Sequence, residues 1–175
     1  MANENRLKGK RILIVDDEPD ILETMEGLLP ECDTMKAISY KEARDLLESR
    51  SFDMAILDIM GVDGFDLLEI SKKRGVIAVM LTAHALSPEN TMKSFKEGAA
   101  SYVPKEKLKD IATYLEDVLE AKEKGRSLWW RWLDRFGEYY NRKFGPRWHE
   151  PGKDIWQKMD EDREKGTRYF FYPDR

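Results

Sequence analysis

Polar side chains that could bind a cation or a phosphoryl group stand directly after four apolar stretches of the sequence. They are Asp16 and Asp17, Asp58, Thr82 and Lys105. Carboxylate oxygens suit a hard divalent cation such as Mg²⁺. A hydroxyl and an ammonium supply a donor and a point charge for phosphoryl oxygens. Any one of these residues alone would be an ordinary polar residue of a loop, but their joint occurrence favours a site for Mg²⁺ and a phosphoryl group.

The apolar stretches alternate with segments of helical periodicity. Five stretches predict strands, at Arg11–Val15, Thr34–Ile38, Met54–Leu57, Val76–Leu81 and Ser101–Val103. Five helices are predicted to follow them, at Pro19–Leu29, Tyr40–Ser49, Gly64–Lys73, Ser87–Gly98 and Leu108–Lys124. This alternation predicts an α/β fold with a five-stranded parallel, doubly wound (flavodoxin-like) sheet flanked by five helices. Ligands of such sheets lie at the carboxyl ends of the strands, where the polar residues stand.

Four segments together resemble the receiver domain of bacterial two-component response regulators, over roughly residues 10–124. They are ILIVDDEPD at Ile12–Asp20, MAILDIM at Met54–Met60, VMLTAHA at Val79–Ala85 and EGAASYVPK at Glu97–Lys105. The resemblance implies a phosphoacceptor switch rather than an enzyme. Its expected partner is a sensor histidine kinase or a phosphotransfer protein.

The resemblance also implies roles for the acidic residues. Asp58 would be the nucleophile that takes a phosphoryl group from a phosphohistidine. Asp17 would bind Mg²⁺ directly and Asp16 largely through water. Asp58 and the backbone carbonyl of Met60 would complete the protein ligands of the metal.

Three further residues match the switch of the family. Thr82 would hydrogen-bond the phosphoryl group and Lys105 would pair with it. Tyr102 would be the switch aromatic, whose ring turns inward when Thr82 moves. Phosphorylation adds roughly 1.5 to 2 negative charges, which is a large enough change to draw a hydroxyl and an ammonium toward it.

The sequence departs from the family pattern in two places. The loop after Asp58, which contains Gly61-Val62-Asp63-Gly64, is shorter than usual, and Pro104 precedes Lys105 where the family has a proline after the lysine. Both departures predict slower or weaker chemistry than in typical relatives. His84, close to Thr82 in sequence, is expected to be a loop histidine, with tuning of dephosphorylation as the alternative.

Composition changes sharply near Gly125. Residues 1–125 hold 25 Asp and Glu against 18 Lys and Arg, whereas residues 126–175 hold 9 against 12. Only 6 aromatic residues lie in the first part and 13 in the second, including all five Trp. We therefore expect a receiver domain at 1–125 and an aromatic-rich helical extension at 126–175.

The extension predicts an amphipathic helix that either begins at a Ser127 cap or continues the preceding helix, and that ends at Gly145-Pro146. Its apolar arc contains Trp129, Trp132, Leu133, Phe136, Tyr140 and Phe144, and its polar side contains Arg131, Asp134, Arg135, Glu138, Asn141 and Arg142. A loop at Trp148–Pro151, a charged helix at Asp154–Lys165 and an extended or disordered end at Tyr169–Pro173 are expected to follow.

The role of this extension stays open between three alternatives. The aromatic arc could pack back on the receiver, form a homodimer or partner surface through Trp129, Trp132, Phe136, Tyr140 and Phe144, or bind nucleic acid or a membrane with its arginines. Accordingly, the alternative to a switch of protein contacts is a transcriptional or RNA-binding regulator. Nucleic acid is the less favoured partner, because no helix-turn-helix or winged-helix pattern is present.

Other features of the sequence favour the cytoplasm. Cys32 is the single cysteine, no apolar run approaches the roughly 20 residues of a membrane helix, and Met1–Lys10 shows no export signal. His149 and Glu150 alone do not predict a metal site, and Asp63-Gly64 lacks the pattern of a calcium loop.

Overall fold

The computed structural model describes residues 5–84, 86–154 and 157, and it confirms the predicted α/β fold. The five strands are β1 (Arg11–Val15), β2 (Asp33–Ala37), β3 (Met54–Asp58), β4 (Ile77–Thr82) and β5 (Ser101–Pro104). The helices are α1 (Pro19–Leu28), α2 (Tyr40–Ser49), α3 (Gly64–Lys73), α4 (Pro88–Lys96), α5 (Ile111–Glu123) and α6 (Leu128–Phe144), with 3-10 helices at Lys105–Asp110 and Glu150–Gly152.

The sheet is parallel throughout, with the strand order β2-β1-β3-β4-β5. This is the doubly wound order of flavodoxin-like folds, in which ligands bind where the strand order reverses, between β1 and β3. Val15 lies opposite Leu57, and Asp58 lies opposite Leu81. Thr82 lies opposite Pro104. This register places the carboxyl ends of β1, β3, β4 and β5 side by side, so that Asp16, Asp58, Thr82 and Lys105 stand at the same end of the sheet.

Local sequence fixes the start of α4, which follows the site. Ser87 accepts a hydrogen bond from the backbone N–H of Asn90, and Pro88 occupies the first turn, where its missing N–H costs nothing. The helix and the strand before it therefore enclose a short connection that carries His84.

Several predicted bounds were wrong by a few residues. Strand β2 begins and ends one residue earlier than predicted, and β3, β4 and β5 extend to include Asp58, Thr82 and Pro104. The chain after Lys105 first forms a 3-10 helix, so that α5 begins at Ile111 rather than Leu108. The segment predicted as a loop at Trp148–Pro151 contains part of the second 3-10 helix.

A break separates α5 from α6. Gly125 has a φ of +65°, a left-handed conformation that favours glycine, and Ser127 caps α6 by accepting a hydrogen bond from the N–H of Trp130. The alternative of one continuous helix was therefore wrong. The turn folds α6 back onto the α/β fold.

The aromatic face of α6 packs on the surface formed by α4, β5 and α5. The ring of Phe95 on α4 lies edge-on to Trp129 and Trp132, at centroid distances of 5.7 and 5.5 Å. Tyr114 on α5 lies 4.7 Å from the ring of Phe136. These rings belong to the same buried cluster as the strands of the sheet. Residues before and after Gly125 therefore share one hydrophobic core. The division at Gly125 stays a prediction about domains.

Burial argues against the alternative in which the aromatic arc of α6 forms an exposed partner surface. The arc faces the α/β fold, since Trp129, Trp132, Phe136 and Tyr140 are buried and Phe144 is half-buried. Trp130, which the periodicity placed outside the arc, is buried as well. Of the three alternatives for the extension, the structure shows packing back on the preceding α/β fold.

Two arginines assigned to the polar side of α6 bind an aspartate of α5. Arg135 donates from Nε and Nη2 to the Asp117 carboxylate at 2.9 and 3.0 Å, and Arg131 donates from Nη2 at 2.8 Å. The predicted helix at Asp154–Lys165 lies outside the described residues except at Asp154 and Gln157, both helical. The end at Tyr169–Pro173 lies outside them entirely.

Candidate metal and phosphoryl site

A cleft of about 360 Å³ opens at the carboxyl end of the sheet. Its lining residues come from the loops after β1, β3 and β4 and from the end of β5, and they are Asp17, Glu18, Asp58, Met60, Gly61, Ala83, His84 and Lys105. The structure thus brings the sequence-predicted residues together. Asp16 and Thr82 lie beside this cleft at the ends of β1 and β4, both almost fully buried.

Two of the carboxylates are held in a partly desolvated position. Asp16 is 0% exposed and Asp58 is 5% exposed. Burial raises the pKa of Asp58, although Lys105 and the N–H of Gly61 counteract it. Burial likewise raises the pKa of Asp16 against the effect of Lys105. Ionised carboxylates in such surroundings are stabilised by a neighbouring cation.

Lys105 supplies positive charge to the cluster. Its Nζ lies 2.9 Å from Asp16 Oδ2, 3.2 Å from Glu18 Oε1 and 3.5 Å from Asp58 Oδ1. Burial alone would lower the pKa of Lys105, but the contacts with Asp16 and Asp58 outweigh it and the pKa is raised. The ammonium therefore stays charged at neutral pH. The proline before Lys105 does not carry the ammonium away from Asp58.

The acidic residues after β1 fit a divalent cation. One carboxylate oxygen from each of Asp16, Asp17 and Glu18 lies within 4.8 Å of the others. Such an oxygen-only donor set, open to water on the cleft side, suits Mg²⁺, which keeps several waters of its own. Asp58 and Met60 border the same cleft, but the role predicted for the Met60 carbonyl stays a prediction.

Glu18 was not singled out from the sequence. It joins the acidic cluster, donates its N–H to Asp16 Oδ1 at 2.9 Å and pairs with Lys105. The signal was present in the third acidic residue of the run Asp16-Asp17-Glu18, which the strand pattern alone does not distinguish from a solvated loop residue.

The shortened loop after β3 passes very close to the acidic cluster. The N–H of Gly61 donates to Asp58 Oδ2 at 3.2 Å. A Cβ at position 61 would lie 2.3 Å from the Asp17 carboxylate, closer than atoms can approach. A side chain at position 61 would therefore displace the carboxylate of the exposed Asp17 from its place beside the loop.

Thr82 and Tyr102 are joined behind the cleft. The phenol of Tyr102 hydrogen-bonds the side chain of Thr91, the backbone of Ser87 and the side chain of Thr82. Tyr102 is fully buried, and burial raises its pKa well above the usual value, so that it stays a neutral phenol. The ring thus lies inward, in contact with the predicted phosphoryl-binding hydroxyl. His84 is exposed at the rim of the cleft.

Comparison with known proteins agrees with this geometry. The family model described as "Response regulator receiver domain" matches residues 12–116. The two-component response regulator ARR18 of Arabidopsis thaliana is 36% identical over 103 residues, which are 55% of this chain and 16% of that protein. The response regulator protein PilR of Pseudomonas aeruginosa is 36% identical over 105 residues, 57% of this chain and 23% of that protein. The chain thus spans less than a quarter of either relative.

A solved structure shows the same fold. It is a response regulator receiver domain protein (CheY-like) from Methanospirillum hungatei, 33% identical, with a TM-score of 0.60 over 67% of this chain and 98% of that one. Similar proteins thus come from a plant as well as from microbes, so membership of the family does not show that this chain is bacterial.

The extension lies outside the matched residues. Within the described part of the chain, no helix combines the length and apolarity needed to cross a bilayer. The parallel sheet, the acidic cluster beside Asp58 and the matching family model lead to one conclusion: this chain belongs to the response regulator receiver domain family.

Proposed function

We propose that this protein is a phosphoacceptor switch in which Asp58 receives a phosphoryl group from a sensor histidine kinase or a phosphotransfer protein, with Mg²⁺ as the cofactor. The observation that supports it best is the placement of Asp58, which is nearly buried at the cleft with the Lys105 ammonium 3.5 Å away and three acidic residues close by. Asp58 is the one of these carboxylates that ends a central strand.

The transfer exchanges one bond to phosphorus for another. A carboxylate oxygen of Asp58 attacks the phosphorus, the phosphorus–nitrogen bond of the phosphohistidine breaks, and the imidazole leaves with the electron pair of that bond. Mg²⁺, held by Asp16, Asp17 and their neighbours, would neutralise charge on the phosphoryl oxygens. Lys105 supplies a second positive charge, and the N–H of Gly61 orients the Asp58 carboxylate.

The result of the transfer is a change of protein contacts rather than a turnover of substrate. The new charge attracts the Thr82 hydroxyl and the Lys105 ammonium, so both side chains move relative to the sheet. We accordingly propose no enzymatic activity beyond self-catalysed phosphorylation and dephosphorylation, and we propose that the protein acts in the cytoplasm.

The test is chemical phosphorylation followed by intact mass. We expect the protein with Mg²⁺ and acetyl phosphate to gain one labile phosphoryl group, and Asp58→Asn to gain none. Asp63→Asn is the matched control, since Asp63 is an exposed aspartate of the same loop in a left-handed conformation that asparagine tolerates. A wild-type protein without an adduct, or an Asp58→Asn variant that gains as much, contradicts the proposal.

A transcriptional or RNA-binding regulator that binds nucleic acid through α6 is the less supported function. The arginines of α6 that would serve it, Arg131 and Arg135, bind Asp117. A salt-dependent affinity for DNA or RNA that falls when Arg131, Arg135 and Arg142 are replaced would restore this alternative.

A further inference from the structure

Helix α6 bonds the switch aromatic Tyr102 directly at one point and reaches it through Thr91 at a second. The indole Nε1–H of Trp132 donates to the backbone carbonyl oxygen of Tyr102 at 2.8 Å. The hydroxyl of Tyr140 lies 2.6 Å from Oγ1 of Thr91, and Thr91 also hydrogen-bonds the phenol of Tyr102. Both contacts are buried.

These contacts extend a row of hydroxyl groups from the cleft to α6. Thr82 bonds Tyr102, Tyr102 bonds Thr91, and Thr91 bonds Tyr140. All four residues are 1% exposed or less. Since water does not reach them, these hydroxyls depend on protein groups for hydrogen bonds, and the proton of Thr91 goes to the backbone carbonyl oxygen of Ser87 at 2.7 Å.

We propose that Trp132 and Tyr140 are positioning residues for Tyr102, so that the packing of α6 on the receiver and the phosphorylation of Asp58 favour each other. This inference rests on the proposed function. It assigns the extension to the switch itself.

The physical reason lies in what happens to Tyr102 when Thr82 turns toward a phosphoryl group. Thr82 then gives up its hydrogen bond to the phenol, and a buried phenol without partners is costly. Thr91 and the backbone of Ser87 still satisfy it, provided that the ring and α4 stay in place. Trp132 holds the backbone of Tyr102, and Tyr140 holds Thr91, so α6 makes the movement of Thr82 easier.

The coupling must act in both directions. If packed α6 stabilises the phosphorylated state, phosphorylation stabilises packed α6 by the same factor. The aromatic contacts of Trp132 with Phe95 and of Tyr140 with Trp148, at 5.5 and 4.9 Å, connect this region to α4 and to the segment after α6. The segment after α6 is thus joined to the aromatic cluster that phosphorylation would tighten.

The experiment uses the full chain with two variants that remove hydrogen-bonding groups of α6. Trp132→Phe removes the indole donor and keeps an aromatic ring, and Tyr140→Phe removes only the hydroxyl that bonds Thr91. Tyr139→Phe is the matched control, because Tyr139 lies on the same helix, its ring contacts Lys107 and Lys143, and its hydroxyl makes no hydrogen bond among the described residues.

Two quantities are measured. One is the lifetime of the phosphoryl adduct that forms with acetyl phosphate, and the other is the hydrogen exchange of backbone amides with and without Mg²⁺ and beryllofluoride. We expect beryllofluoride to protect α6 in the wild type as well as the loop after Asp58. We expect Trp132→Phe and Tyr140→Phe to shorten the adduct lifetime about five-fold, the ratio that one hydrogen bond of about 1 kcal/mol gives. Tyr139→Phe should match the wild type.

The outcomes separate this inference from the proposed function. Protection of the loop after Asp58 with unchanged exchange in α6, and equal lifetimes in all variants, would overturn the coupling and leave the phosphoacceptor role intact. A wild type that neither forms an adduct nor responds to beryllofluoride would overturn both. A purely structural role of α6 would change the melting temperature of the variants without changing the lifetime.

Discussion

The indole of Trp132 and the backbone carbonyl of Tyr102 form a hydrogen bond between the extension and an edge strand of the sheet. Strand β5 leads directly to Lys105, which lies at the cleft. Helix α6 is therefore bonded to the strand that leads to Lys105 at the phosphoryl site. Its aromatic side chains serve as core residues of the receiver.

The first prediction concerns oligomeric state. Because the aromatic arc of α6 is buried against α4, β5 and α5, we expect the protein to be a monomer at micromolar concentrations. Light scattering coupled to size exclusion measures this directly. A stable dimer that Arg142→Ala leaves intact and Trp132→Asp abolishes would show that the arc also serves as an interface.

The second prediction concerns the stability cost of the acceptor carboxylate. Burial raises the pKa of Asp58 in the folded protein, so the stability associated with its protonated form is present at low pH and is lost as the pH rises through that pKa. At neutral pH without Mg²⁺, Asp58→Asn should therefore raise the free energy of unfolding by about 1 kcal/mol, or the melting temperature by roughly 2–4 °C.

Thermal denaturation between pH 3.5 and 7.5 tests this second prediction. The difference in melting temperature between Asp58→Asn and the wild type should become smaller toward acid pH, where the wild-type carboxyl is protonated. Asp63→Asn is the control for the same substitution at an exposed aspartate of the loop. An Asp58→Asn variant that is less stable than the wild type at neutral pH would contradict it.

The third prediction concerns the close approach of the shortened loop. Gly61→Ala places a methyl group where the Asp17 carboxylate lies, so either the loop or Asp17 must move. We expect the affinity for Mg²⁺ to fall about ten-fold or more, as for other changes that displace a metal ligand. Calorimetric titration with Mg²⁺ measures it.

A matched glycine controls for the added methyl group. Gly27 lies in α1, and a Cβ there would meet no atom within 4 Å. Gly27→Ala should leave the Mg²⁺ affinity unchanged and stabilise the helix by up to about 1 kcal/mol. Equal Mg²⁺ affinities in the two variants would refute the role of Gly61.

The fourth prediction concerns the ion pairs that join α6 to α5. Asp117 is 8% exposed and binds Arg131 and Arg135. Asp117→Asn removes the negative charge that pairs with two partly exposed arginines. We expect the free energy of unfolding to fall by about 1–3 kcal/mol, between the values for surface and buried ion pairs. Urea denaturation provides the free energy.

An exposed pair of the same helix is the control. Arg142 pairs with Glu138 at 3.1 Å on the solvent side, so Arg142→Ala should cost at most about 0.5 kcal/mol. If the two variants lose equal stability, the Asp117 pairs do not hold α6 in place.

The sequence predicts the receiver fold and the main site residues because both depend on short-range patterns. Apolar runs ending in Asp16, Asp58 and Thr82 define strands and their carboxyl ends without knowledge of distant contacts. The predicted bounds of helices and strands were less accurate. After Lys105, for example, the chain forms a 3-10 helix before α5 begins.

The contacts of α6 were not predictable in the same way. Periodicity identified an apolar face containing Trp132 and Tyr140, but not the surface that this face covers. Arg135 stood on the polar side, and only the docked position of the helix brings it to Asp117. Contacts between helices and strands depend on how these elements pack, and the spacing of residues along one element carries no information about its partner.

The tight turn at Gly125 has a practical consequence for work with this protein. A fragment ended there, where composition suggests a boundary, would expose to water the side of Phe95 and Tyr114 that α6 now covers. Apolar patches left open in this way promote self-association and poor solubility. Isolated receivers cut from this chain should therefore be prepared with residues up to Gly152, which approaches Met92 of α4 so closely that a Cβ at 152 would overlap its side chain.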